Sequence, residues 1–111
     1  MSQQDDTSQP DVLRVELHRT VSEAILVLRG EFDLTGTETF WTHISQALGA
    51  SPQSITIDAS GLEFIDSLGL QALMRAREAA AEAGVAFRVS EASAAFRRVV
   101  ELTGVEGLLP D

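Results

Sequence analysis

Three times between Ala24 and Leu102, a short apolar run gives way to a longer segment whose apolar residues return every three or four positions. The run at 24–28 is continuous and apolar on both faces, as a central strand is, while 55–57 and 85–89 are short strand-like runs interrupted by Thr56 and Arg88. The segments after them have helical periodicity. A strand, a helix and a second strand in this order demand parallel pairing across a right-handed crossover. Ahead of the first run, Leu13, Val15 and Leu17 alternate with Arg14, Glu16 and His18, the mark of a half-exposed strand. A short turn near 20–23 separates the two, so they are predicted to form an antiparallel hairpin. The order β-β-α-β-α-β-α therefore predicts an α/β fold: a mixed β-sheet, made of an N-terminal antiparallel hairpin plus βαβ units, packed with three to four helices.

The second strand is predicted to run on toward Phe32. Thr35 is placed to cap the first helix, with Glu38 completing a capping box. Thr37, Phe40, Trp41, Ile44 and Leu48 then form one apolar face, and Gly49 and Pro52 end the helix. The stretch 58–66 reads as a connection held to the body by Leu62, Phe64 and Ile65. A second helix is expected over 68–83, with Leu70, Leu73 and Met74 inward, Arg75, Glu78 and Glu82 outward, and Gly84 at its end. The last helix is expected over 92–102, burying Ala92, Phe96, Val99 and Val100 and stopping at Gly104. Leu108 and Leu109 close the chain as a short strand or by packing. Residues 1–11 hold no large apolar residue beyond Met1, which predicts a disordered tail before one domain at 12–111.

Composition removes several kinds of function. The 111 residues suit a single domain. Cysteine, lysine and tyrosine are absent, and all eight basic residues are arginines. Disulfides, thiolate metal sites, cysteine nucleophiles, Schiff-base chemistry and a P-loop lysine are thereby excluded. Seventeen acidic residues give a net charge of −9, which repels nucleic acid and anionic membrane surfaces. Arg97 and Arg98 form the one adjacent basic pair, and read first as the exposed side of a helix. No apolar run approaches the roughly 20 residues that span a bilayer. The polar, acidic N-terminus is unlike a secretory signal. A cytoplasmic protein with a basic partner surface is the expectation. No His/Asp/Glu cluster has metal-ligand spacing, and no glycine-rich loop matches a phosphate cradle, so no cofactor is expected. Trp41 beside Phe40 reads as core, and Asp5 with Asp6 as solvated tail.

In open α/β sheets, functional groups gather at the carboxyl ends of the parallel strands. Two segments are predicted to reach that edge: Gly30-Glu31-Phe32-Asp33, and Ile65-Asp66-Ser67-Leu68-Gly69-Leu70. Ser67 stands where an N-cap is wanted, with its hydroxyl accepting from the amide of Gly69 or Leu70; the plain reading is a cap of about 1 kcal/mol. The functional reading is a phosphorylation site. A phosphate there adds roughly −1.5 to −2 charges, which a helix N-terminus tolerates. Asp66 and Asp33 lie close by, so modification makes the edge strongly negative.

These segments resemble the signature of anti-sigma factor antagonists with the STAS fold. Residues 57–70, Ile-Asp-Ala-Ser-Gly-Leu-Glu-Phe-Ile-Asp-Ser-Leu-Gly-Leu, are similar to the family's buried strand, anchored loop and Asp-Ser-Ser/Thr-Gly-Leu helix start. Gly30-Glu31-Phe32-Asp33 resembles its Gly-Glu-Leu-Asp, and 96–105 resembles its last helix and closing glycine. The resemblance implies partner switching. The unphosphorylated antagonist binds an anti-sigma factor that is also a serine kinase, a sigma factor is released, and phosphorylation of the motif serine, here Ser67, ends the binding until a phosphatase resets it. ATP belongs to the kinase. The implied docking surface comprises Glu31, Asp33, Thr35, Asp66, Ser67, Leu68 and Gly69. Leu68 departs from the family's serine or threonine, which removes a second acceptor hydroxyl and makes the edge more apolar.

Two other classes of function compete with this one. STAS domains also serve as constitutive subunits of transport complexes, including lipid-transport ATPases, and of stress-sensing assemblies. There Ser67 would be a cap and the same edge a permanent interface. A hydrolase with Ser67 as nucleophile is disfavoured: the nucleophile elbow wants Gly-x-Ser-x-Gly, and position 65 is isoleucine. His18 and His43 read as surface residues, so the chain is not expected to be an enzyme.

Overall fold

The computed structural model describes residues 12–108. The predicted tail at 1–11 and Leu109 lie outside this range. The elements follow the expected order: β1 (Arg14–Arg19), β2 (Glu23–Phe32), a 3-10 turn (Leu34–Gly36), α1 (Thr37–Gly49), β3 (Ser54–Ile65), α2 (Ser67–Glu82), β4 (Ala86–Ala92), α3 (Ala94–Thr103) and a closing 3-10 turn (Glu106–Leu108). Leu108 ends in that turn, buried, and not in a strand.

The sheet order is β1-β2-β3-β4. β1 and β2 pair antiparallel, while β2–β3 and β3–β4 pair parallel. Thr20 makes the hairpin turn: its amide donates to the Glu23 carbonyl, and its hydroxyl accepts from the Glu23 amide. Along β2 the alternation is plain. Ala24, Leu26, Leu28 and Phe32 are buried in the core, while Ile25 and Val27 are half-buried. One cluster joins these buried residues to Phe40 and Ile44 of α1, Leu70 and Leu73 of α2, and Phe96 and Val100 of α3. Phe40 sits between Phe32 and Trp41, with ring centroids 5.0 and 6.2 Å away. Thr56, the one buried polar side chain among the described residues, donates its hydroxyl to the Glu23 carboxylate, which offsets its desolvation.

Three expectations need correction. The stretch 58–66 is not a loop, because β3 continues through it to Ile65. After a register shift at Val27/Arg29, Gly61 and Leu62 pair with Arg29 and Gly30; after a second shift, Phe64 and Ile65 pair with Glu31 and Phe32. Gly30, with φ of 93°, stands at that second shift and supplies a backbone conformation closed to most residues. The last helix starts at Ala94 behind a Ser93 cap, and Ala92 belongs to β4, paired with Ala59. The third correction concerns the caps of the first two helical segments, which shape the functional edge.

Candidate functional site

β2 and β3 end side by side. Phe32 pairs with Ile65, and the amide of Asp66 donates to the Phe32 carbonyl at 3.3 Å. That bond carries the parallel ladder one step past the sheet and sets Asp33 and Asp66 next to each other. Each aspartate then caps the helical segment that begins after it. Asp33, extended at φ −127°, accepts from the Thr35 amide at 3.0 Å and from the Thr35 hydroxyl at 2.6 Å. Asp66, extended at φ −110°, accepts from the amides of Leu68 and Gly69, both at 3.0 Å.

The expected capping hydroxyls are therefore not the caps. Thr35 lies inside the 3-10 turn, and α1 begins at Thr37 behind Gly36 with no side-chain cap. Ser67 is the first residue of α2, with its side chain exposed, and its hydroxyl makes no hydrogen bond among the described residues. A carboxylate wins the cap position because it carries full charge toward two amides at the positive end of the helix. The stability consequence is sharp. Asp66→Ala is expected to cost about 1–2 kcal/mol through two unmet amides, whereas Ser67→Ala should stay within about 0.5 kcal/mol of wild type, as surface changes do. Urea unfolding of the two variants checks this; the reverse ranking would return the cap to Ser67.

Gly69, expected to touch a partner, is instead buried. A Cβ there would lie 2.3 Å from the Phe32 carbonyl oxygen and 3.0 Å from Ile65 Cγ1. Its part is to let α2 start tight against the ends of both strands. The other expected residues do gather at one edge: Glu31, Asp33 and Asp66 half-buried, and Thr35, Ser67 and Leu68 exposed. Neither Asp33 nor Asp66 makes an ion pair among the described residues, so these two carboxylates bring negative charge to the edge without a paired cation.

Beside it runs a feature that sequence reasoning missed. Leu34 and Leu68 remain 64% and 41% exposed. With Trp41, Gln71, Ala72 and Arg75 they line a groove of about 240 Å³ between α1 and α2. Elsewhere the surface residues lie as expected. His18 is exposed, 3.4 Å from Glu16, and His43 Nδ1 lies 2.8 Å from the Thr39 carbonyl within α1. Arg97 and Arg98 are on the exposed side of α3, near Glu101 and exposed Leu102. Among the described residues, no helix is long and apolar enough to cross a membrane.

A family model described as "Mlab, STAS domain" matches residues 15–110. The chain belongs to the STAS domain family. Within the family it is 29% identical, over 99 residues, to the anti-sigma-F factor antagonist RsfB of Mycobacterium tuberculosis, covering 89% of this chain and 80% of that one. The fold of this STAS domain matches the crystal structure of an anti-sigma factor antagonist from Mycobacterium paratuberculosis with a TM-score of 0.79 and 27% identity, over 91% of this chain and 86% of that chain. It matches the anti-sigma factor antagonist SpoIIAA in its unphosphorylated form with a TM-score of 0.67 and 25% identity, over 86% and 84%. The mixed four-stranded sheet with three helices is the STAS architecture these antagonists share.

Proposed function

We propose that this STAS domain is an anti-sigma factor antagonist. It binds an anti-sigma factor through the edge that holds Asp33, Thr35, Asp66, Ser67 and Leu68, and phosphorylation of Ser67 ends the binding. One observation carries the reading. At the start of α2, Asp66 does the structural work of the cap and Ser67, beside it, is exposed with an unengaged hydroxyl. Modification there breaks no hydrogen bond of the fold. Its effect falls on whatever touches the edge. The Leu68 and Gly69 amides are already satisfied by Asp66, so a phosphate finds little new stabilisation and adds roughly −1.5 to −2 charges beside two uncompensated carboxylates. A partner seated there has to desolvate that charge.

The antagonist relatives support the assignment, and SpoIIAA, whose structure is that of the unphosphorylated form, supports a phosphorylation switch. In this reading the anti-sigma factor is the kinase and supplies the ATP site, a phosphatase resets Ser67, and the STAS domain itself catalyses nothing and holds no cofactor.

The hydroxyls of Thr35 and Ser60 are already committed. Thr35 Oγ1 donates to Asp33 at 2.6 Å and Ser60 Oγ donates to Asp58 at 2.7 Å. Incubation with the purified anti-sigma kinase and ATP is therefore expected to add a single phosphate, located on Ser67 by fragmentation mass spectrometry and abolished by Ser67→Ala. A label on Thr35 or Ser60 instead, or none on the folded protein, overturns the assignment.

A further inference from the structure

The groove between α1 and α2 begins one residue beyond Ser67, and two of its lining side chains, Leu34 and Leu68, are large apolar groups left exposed outside the core. Leu34 and Leu68 come from separate elements, each just past a capping aspartate. Isolated exposed leucines are ordinary on protein surfaces. These two converge on a half-buried tryptophan, Trp41, in a single depression. On α2 the lining residues Leu68, Gln71, Ala72 and Arg75 follow the i, i+3, i+4, i+7 spacing of one helical stripe. Arg75 makes no ion pair among the described residues. At about 240 Å³ the groove falls below the roughly 300–1,000 Å³ of small-molecule sites. It suits one side chain of another protein. Tryptophan and arginine are also the residues that most often carry binding energy at protein interfaces.

We propose that this groove is the specificity pocket of the docking edge: it receives one large apolar side chain of the anti-sigma factor, and Arg75 pairs with a carboxylate of the same partner segment. The proposal rests on the reading of the Ser67 edge as the docking face. Charge argues for the carboxylate. In a chain with 17 acidic residues and 8 arginines, a partner's acid is repelled by most of the surface. A guanidinium at the far end of an apolar groove offers it a bidentate seat. One such reversed charge fixes the register of a partner whose surface is otherwise basic. The same geometry connects the pocket to the switch. An apolar group packed on Leu68 excludes water from the rim where the Ser67 phosphate would stand, so occupancy and phosphorylation oppose each other.

Trp41 is the only tryptophan, which makes the pocket directly observable. The full-length protein labelled with 5-fluorotryptophan gives one fluorine resonance, expected to shift when the anti-sigma factor is added. Titration calorimetry with the same partner is expected to show Leu68→Ser weakening binding about tenfold, in line with loss of one buried aliphatic group. Arg75→Glu should weaken it about tenfold or more and flatten its salt dependence, while Arg98→Glu on α3 should leave it unchanged. Both groove positions are solvent-facing, so melting temperatures should match wild type and a binding loss cannot be mistaken for unfolding. If Leu68→Ser and Arg75→Glu bind within twofold of wild type and the resonance does not move at saturation, while Ser67→Glu still prevents binding, the pocket is refuted and the docking edge stands. If folded wild-type protein does not bind the anti-sigma factor at all, the functional reading falls and the pocket with it.

Discussion

Gly69→Ala is expected to lower the melting temperature by on the order of 10–20 °C. The new Cβ would stand 2.3 Å from the Phe32 carbonyl oxygen and 3.0 Å from Ile65 Cγ1. A flexible side chain could turn away from such a contact. A strand carbonyl that also accepts from the Asp66 amide cannot. Relief requires α2 to lift from the ends of β2 and β3, which strains the Asp66 cap and loosens Leu70 and Leu73 in the core. Overpacking of this kind costs about 3 kcal/mol or somewhat more, a large part of the 5–15 kcal/mol that holds a typical domain. For about 100 residues each kcal/mol moves the midpoint by roughly 4–8 °C. Gly49→Ala is the matched control: it ends α1 with nothing within 4 Å of its added Cβ, and it should melt within a few degrees of wild type. Scanning calorimetry of the two variants decides the matter. A Gly69→Ala protein that melts like the control would mean that the joint between strand ends and helix is loose, and that Asp33 and Asp66 are not held in fixed register.

That joint also divides what was legible in the sequence from what was not. The alternation of apolar runs and helical stripes was enough for the element order, because each strand and helix writes its own period into the chain. Ser67 was legible as the residue at the mouth of a helix. Its role in the cap was not. Serine and aspartate both suit N-caps, and the choice between neighbours depends on the backbone angle at which Asp66 leaves β3, which Phe32 sets from another strand. The same local habit governs Asp33 with Thr35 and Asp58 with Ser60, where the aspartate accepts from the amide two residues on. Reading the aspartate first would have found each one. The second half of β3 escaped for a different reason. Its pairing with β2 passes two register shifts, and a bulged strand loses the period of two by which strands are recognised. The groove was beyond reach, since Leu34, Trp41 and Arg75 lie on three separate elements and meet only when α1 and α2 pack together.

Ser67→Glu is expected to weaken binding to the anti-sigma factor about a hundredfold, with the fold unchanged. Stability gives no reason for a loss. Ser67 is exposed at the first position of α2 and its hydroxyl holds no part of the cap; an acidic residue in a first helical turn is neutral to mildly favourable. The effect therefore has to come from the interface. A carboxylate there is the third negative group beside Asp66 and Asp33, neither of which is ion-paired among the described residues. A partner that closes over Leu68 must strip water from it. The partner group packed on Leu68 is apolar and offers no counter-charge at this rim, where burying a charge costs several kcal/mol, and about 2.7 kcal/mol suffices for a factor of one hundred. Ser67→Ala should bind as wild type does and stay bound when kinase and ATP are present, because the hydroxyl is lost and nothing is added. Calorimetric titration of all three proteins, with circular dichroism to confirm folding, separates a switch from a permanent interface. A constitutive subunit whose interface does not exclude charge at Ser67 would hold its partner with Ser67→Glu almost as tightly as with serine, and kinase with ATP would leave its wild-type complex intact. A folded Ser67→Glu protein within threefold of wild type would leave the STAS architecture intact and remove the switch.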